Sequence, residues 1–190
     1  MKEQGKVKER IMNTACRLFY EQGYQATGIN QIIEEAGIAK SSLYQHFASK
    51  EILLNEYLAT NKAEWFSKLA VFTASFSAGK EKLSALLDYR KQGLERHHFK
   101  GCTFSRVVYE LPNLDETSAT IIRQHKEGIK AFVYTQLQAI KSPYPEDELN
   151  EMTELLFNLM EGAILQTTLY HSVQPYLEVQ KTINKLLQTI

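Results

Sequence analysis

Neither sign of charge prevails in this chain: 22 Lys and Arg meet 22 Asp and Glu, so the formal net charge is zero. That excludes a broad basic field as the means of holding nucleic acid. Cysteine is scarce. Cys16 and Cys102 lie far apart, which argues against a structural disulfide in a reducing compartment. Long apolar runs are missing, and the opening Met-Lys-Glu-Gln-Gly-Lys has no apolar signal core, so a cytoplasmic protein without membrane spans is expected. A Gly-rich phosphate loop, a nucleophile elbow and a paired-His zinc motif are all lacking, which leaves no catalytic residue to nominate and excludes the common enzyme classes. Glu34-Glu35 and Glu146-Asp147-Glu148 read as solvated acidic turns rather than an acid/base pair.

What remains is a helical pattern. With 44% apolar residues, nine glycines and four prolines in 190 residues, the chain can bury a sizeable core in one or two domains. No repeat and no β-type alternation stands out, so the expected class is all-α. Val7, Ile11, Ala15, Leu18 and Phe19 predict a first helix over 6–22, ended by Gly23. Further helices are expected from Lys50 to about Phe72, over 80–96, 105–111 and 115–140, from about 146 to 171, and from Pro175 onward. The residues Ser142-Pro143-Tyr144-Pro145 break the chain between the helix over 115–140 and the one from about 146.

Residues 24–50 carry the most specific signal. Thr27 is a good N-cap for a short second helix bearing Ile29, Ile32, Ile33 and Ala36. Gly37 supplies the left-handed residue that ends it sharply. Ile38, Leu43 and Phe47 anchor a third helix, leaving Lys40, Ser41, Ser42, Tyr44, Gln45 and His46 on or near its free side. This is a helix-turn-helix, whose second helix can enter a major groove about 12 Å wide. Through residue 50 seven Lys or Arg stand against five Glu, a net of only +2, so affinity must come from focused contacts and from pairing of two heads.

From about Arg10 to Leu54 the sequence resembles the DNA-binding domain of the tetracycline-repressor (TetR) family of bacterial transcription regulators. The resemblance rests on Ile11, Ala15, Leu18-Phe19, Gly23-Tyr24, Thr27, Ile32, Ala36-Gly37-Ile38, Lys40, Ser42-Leu43-Tyr44, His46-Phe47 and Ser49-Lys50-Glu51. It implies an N-terminal three-helix head over 1–50, with the helix from about 50 as connector, and a helical effector-binding and dimerisation domain over 51–190. A second stretch, Lys100-Gly101-Cys102-Thr103-Phe104 with Glu110-Leu111-Pro112, is similar to one branch of the family, and the resemblance gives it no role.

The expected division of labour follows. Thr27 and Gly28 sit at a helix N-terminus suited to phosphate, Lys50 can add a charged phosphate contact, and Tyr44 and His46 match positions that touch the DNA backbone in similar family members. Base reading falls to Ala39, Lys40, Ser41, Ser42 and Gln45. In the second domain Trp65, Tyr89, Phe104, Arg106, His125, Phe132 and Gln166 are candidates to line a small-molecule site, aromatic walls with a few polar groups. The apolar residues of the helices over about 146–190 suit a homodimer. The implied function is a dimeric repressor that leaves a palindromic operator when a small effector tilts the fourth helix. No cofactor is expected. The alternative is a regulator of the same fold answering to thiol oxidation, a metal or a partner protein, suggested by His97, His98 and Cys102, although that spacing matches no common zinc pattern.

Overall fold

The computed structural model describes residues 2–140 and 145–189. Among them the chain forms nine α-helices and no strand: α1 Lys2–Gln22, α2 Ile29–Ala36, α3 Lys40–His46, α4 Lys50–Thr73, α5 Lys80–Arg96, α6 Thr103–Glu110, α7 Glu116–Ile140, α8 Glu146–Tyr170 and α9 Gln174–Gln188. The all-α expectation holds. Helix α1 begins at Lys2, ahead of the expected Lys6, and the apolar spacing does not announce this turn because Lys2-Glu3-Gln4-Gly5 carries no apolar residue. The expected break at 142–145 falls mostly outside the described residues; Pro145 itself stands immediately before α8, where the first turn needs no donor from it.

The chain separates into two compact units, Met1–Glu64 with Thr103–Arg123, and Trp65–Cys102 with Gln124–Ile190. In the first, the apolar face of α1 (Ile11, Ala15, Leu18, Phe19) is buried together with Ile32, Leu43, Phe47, Leu54 and Tyr57. The Phe19 ring lies tilted on Tyr24 at 5.2 Å and edge-on to Tyr57 at 5.4 Å, the offset arrangements that aromatic quadrupoles favour. Phe104 and Val107 of α6 and Ile122 of α7 are buried in the same unit although they lie far along the chain.

The second unit packs α5 and the C-terminal helices around a Leu-rich core that includes Leu83, Leu86, Leu87, Val133, Leu137, Leu156, Met160 and Ile183. A gap lined by Leu83, Leu86, Leu87, Val133, Leu156, Met160 and Ile183 measures about 10 Å³, about what a single water requires. Helix α5 ends as the sequence implies at 97–101, through two consecutive left-handed residues, His98 (φ 50) and Phe99 (φ 58). The Phe99 N–H reaches back to the Leu94 carbonyl at 2.9 Å and satisfies one of the orphan carbonyls of the helix end. Among the described residues no helix is long and apolar enough to cross a membrane.

Candidate nucleic-acid interface

The helix-turn-helix is built by its apolar residues and one glycine. Gly37 adopts φ 60, ψ 46. Its N–H bonds to the Glu34 carbonyl at 3.1 Å and the Ile38 N–H to that of Ile33 at 3.2 Å, the paired bonds of a Schellman ending. Leu43 and Phe47 then pin α3 by its buried side. Ala39, Lys40, Ser41, Tyr44 and Gln45 are exposed, and Ser42 and His46 are half-buried. Tyr44 keeps 44% of its surface open, a large aromatic phenol that the monomer does not cover. The row expected from the sequence is therefore presented on one short, firmly seated helix.

One expectation at its margin needs correction. The N-cap of α2 is Gly28, in extended geometry, and not Thr27. Thr27 is fully buried; its hydroxyl donates to the Gly23 carbonyl at 2.6 Å and accepts from Gln22 Nε2 at 3.2 Å. Its side chain is spent on the preceding turn, which leaves the exposed Gly28 at the helix start. Lys50 does open α4, but its ammonium turns inward: it donates to the Tyr24 carbonyl at 2.7 Å and sits 4.1 Å above the Tyr24 ring. Burial pushes its pKa down while the nearby Glu110 works against that shift.

The acidic residues around the head are partly neutralised. Arg17 bonds to Glu35 and also to Glu21 at 3.0 Å, and the bond from Arg17 is what chiefly holds the Glu35 carboxyl below its ordinary range. Lys8 pairs with Glu56 at 2.8 Å. These are exposed pairs, whose value lies in trimming the anionic field more than in stability.

In the second unit Trp65 stands at the centre of a ring cluster. It meets Phe66 at 4.9 Å, His125 at 5.0 Å and Tyr89 at 5.4 Å, all edge-on, and the Tyr89 hydroxyl donates to the Trp65 carbonyl at 3.2 Å. Phe132 is partly buried against the same core, whereas Gln166 faces solvent on α8. Of the other two residues nominated for a ligand site, Phe104 is buried in the first unit and Arg106 there donates to the Tyr20 carbonyl at 2.9 Å. The sequence reading passed over a polar cluster: Arg90, Lys126 and Glu161, with Lys126 Nζ also 3.5 Å from Cys102 Sγ. Its signal was present, since Arg90 falls in the stripe of Leu83, Leu87 and Leu94, where a charge must find a buried partner. The Cys16 thiol is pushed up to about 11 by burial and then by Glu64. Among the described residues no three His, Cys, Asp or Glu are grouped to hold a metal ion.

Helix α8 exposes Leu155, Leu165, Leu169 and Tyr170. Between them lies Gly162, where a Cβ would meet no atom within 4 Å.

The family profile described as "Bacterial regulatory proteins, tetR family" matches residues 11–57. The chain is 40% identical over 187 residues to the HTH-type transcriptional regulator LmrA of Bacillus subtilis, covering 97% of this chain and 98% of LmrA. It is 28% identical over 149 residues to the HTH-type transcriptional repressor KstR2 of Mycobacterium tuberculosis, covering 77% of this chain and 74% of that protein. A crystal structure of a TetR-family transcriptional regulator from Streptomyces coelicolor matches with a TM-score of 0.87 at 22% identity, over 98% of this chain and 96% of that one, which speaks for the fold. With a head of this geometry and a full-length relative at 40% identity, the chain belongs to the tetR family of bacterial regulatory proteins: it is a helix-turn-helix transcription regulator and not an enzyme.

Proposed function

We propose that this regulator is a cytoplasmic, dimeric repressor that holds a palindromic operator and is released from it by a small molecule. The observation that carries the DNA half is the exposed row Lys40, Ser41, Tyr44 and Gln45 on a helix anchored by Leu43 and Phe47. Lys40 suits guanine O6 and N7, Gln45 suits adenine N6 and N7, and Ala39 suits a thymine methyl; Ser41 and Ser42 bond either kind of edge. Tyr44, His46 and the N–H groups behind Gly28 serve the phosphates, with Lys50 adding field from its seat on Tyr24. In this reading residues 1–50 form the reading head and 51–190 pair two copies and receive the effector.

Pairing through α8 and α9 is supported by the exposed leucines of α8 and by Gly162 among them. A mid-helix glycine costs about 1 kcal/mol relative to alanine, and among the described residues no atom within 4 Å of its Cβ position requires one there. Effector binding is supported by the rings of Trp65, Tyr89 and His125, with Phe132 close in the core; one effector-bound state that spaces the two heads badly for half-sites about 34 Å apart suffices for release.

The test is selection of bound fragments from the source organism's genomic DNA at near-physiological salt, with the double variant Lys40→Ala/Tyr44→Ala as control. A palindromic site that the control loses supports the reading; recovery of nothing specific removes it. A second reading, release by thiol oxidation, is favoured by the contact between Lys126 and Cys102. Cys102→Ser decides it: unchanged DNA release under peroxide eliminates the thiol.

A further inference from the structure

In the first unit Glu110 closes α6 against the turn between α1 and α2. Its Oε2 accepts the backbone N–H of Gln25 at 3.1 Å, and its main-chain carbonyl accepts from Gln25 Nε2 at 3.2 Å. Its Oε1 lies so near Gly23 that a Cβ there would stand 2.6 Å away, and Gly23 itself has φ 96. One turn earlier on α6, Arg106 donates to the Tyr20 carbonyl at 2.9 Å and stands 3.8 Å from Glu110 Oε1. Two side chains four residues apart thus take a carbonyl in the last turn of α1 and an N–H in the turn that follows. Helix ends leave such groups unsatisfied, and here another helix supplies the partners.

The same turn is gripped from α4, where Lys50 holds the Tyr24 carbonyl at 2.7 Å, and from within by the Thr27 hydroxyl on Gly23. Residues 23–25 lead directly to Gly28, the start of α2, and the Gly37 turn fixes α3 to α2. Where the turn is held therefore decides where both short helices stand.

We propose that Glu110 is a positioning residue for DNA binding, and that α6 is part of the DNA-reading unit by holding residues 23–25 in the geometry that meets the duplex. This rests on the DNA contacts proposed above. A carboxylate in a unit that must approach phosphates is unfavourable by charge alone, so charge and position make opposite forecasts for its removal.

The probe is a duplex selected by the wild-type chain from a random-sequence pool, with binding followed by anisotropy at fixed salt. Glu110→Ala loses the bond to Gln25 and is expected to bind that duplex about tenfold more weakly, the worth of one charge-assisted hydrogen bond. Glu110→Asp keeps the charge but loses the reach and weakens likewise. Glu110→Gln loses the charge but keeps an acceptor for the Gln25 N–H, and binds as the wild type or tighter. Binding to unrelated duplex stays level or rises for the alanine variant, which a merely unfolded head would not show. Glu110→Asp also keeps the test open should Glu110→Ala lose its melting transition. The proposal is overturned if affinity follows charge instead, with Glu110→Ala and Glu110→Gln both as tight as wild type or tighter and Glu110→Asp unchanged. If the wild-type chain selects no duplex at all, the DNA contacts proposed above fall, and this inference falls with them.

Discussion

The Arg90 guanidinium donates to the Glu161 carboxylate across 2.5 Å, and Lys126 takes the other oxygen at the same distance. Three helices of the second unit, α5, α7 and α8, are joined through one carboxylate that is only 22% exposed. Burial alone would raise the Glu161 pKa; the two cations outweigh it and hold the group down from 4.5 to about 2. A carboxyl depressed in the folded state stabilises fully above its unfolded value, and that stability is lost as pH falls from about 4.5 toward 2. The amount is on the order of 3 kcal/mol. Thermal unfolding of wild type and Glu161→Gln should show a gap at neutral pH that closes through this window. A gap independent of pH would mean the triad contributes packing and not charge.

Gly37 should be sensitive to backbone strain alone. Its Cβ position is open space, yet φ is 60. Gly37→Val is expected to destabilise by about 1–2 kcal/mol, and Gly37→Asn by less, since Asn tolerates this region. Urea titration ranks the variants; equal stabilities would remove the strained turn.

On α3 the roles separate by which duplexes suffer. Gln45→Ala should relax choice at one or two base pairs by about 1–3 kcal/mol, whereas Tyr44→Phe should weaken selected and unrelated duplexes alike. Competition between a selected duplex and its point variants reads the difference. Lys50→Ala should lower the melting temperature as well as DNA affinity, because its ammonium holds Tyr24. A loss of affinity with no loss of stability would return Lys50 to the phosphates.

Gly162→Ala is expected to stabilise an isolated chain, through helix propensity, while Gly162→Leu should weaken pairing if two α8 helices cross there. Sedimentation decides: a wild type that remains monomeric at tens of micromolar, or a leucine variant as dimeric as the wild type, sinks the crossing point.

Trp65 is the single tryptophan of the chain, and it lies among the rings nominated for effector binding. A small aromatic compound bound there should shift its emission, and Trp65→Phe should lower the affinity. A compound that raises the melting temperature without moving Trp65 emission binds elsewhere.

The helices were legible because local spacing encodes them. Ile11, Ala15, Leu18 and Phe19 recur on one face, and Gly23 and Gly37 each stand where a left-handed residue ends a helix. Thr27 was misread because its hydroxyl has two local partners within reach, a cap N–H ahead and the Gly23 carbonyl behind, and residue type does not choose between them. The seat of Lys50 was not legible because a long ammonium goes to whichever acceptor the tertiary fold offers, here a carbonyl 26 residues earlier. Arg106 and Phe104 shared an aromatic, ligand-like neighbourhood in sequence, but no periodicity announces that α6 returns to α1. The same holds for Arg90, whose place in an apolar stripe was visible while its partner 71 residues away was not.

That return has a consequence for the order in which the protein is made. The first unit takes its second segment from Thr103–Arg123, so a nascent chain that has released only its first 64 residues still lacks Arg106, Glu110 and the buried Ser118. The helices of residues 65–102 leave the ribosome before those partners do. The unit that carries the helix-turn-helix is therefore completed only after residues 65–102 have been synthesised, and a protein truncated within them would expose the apolar face prepared for α6.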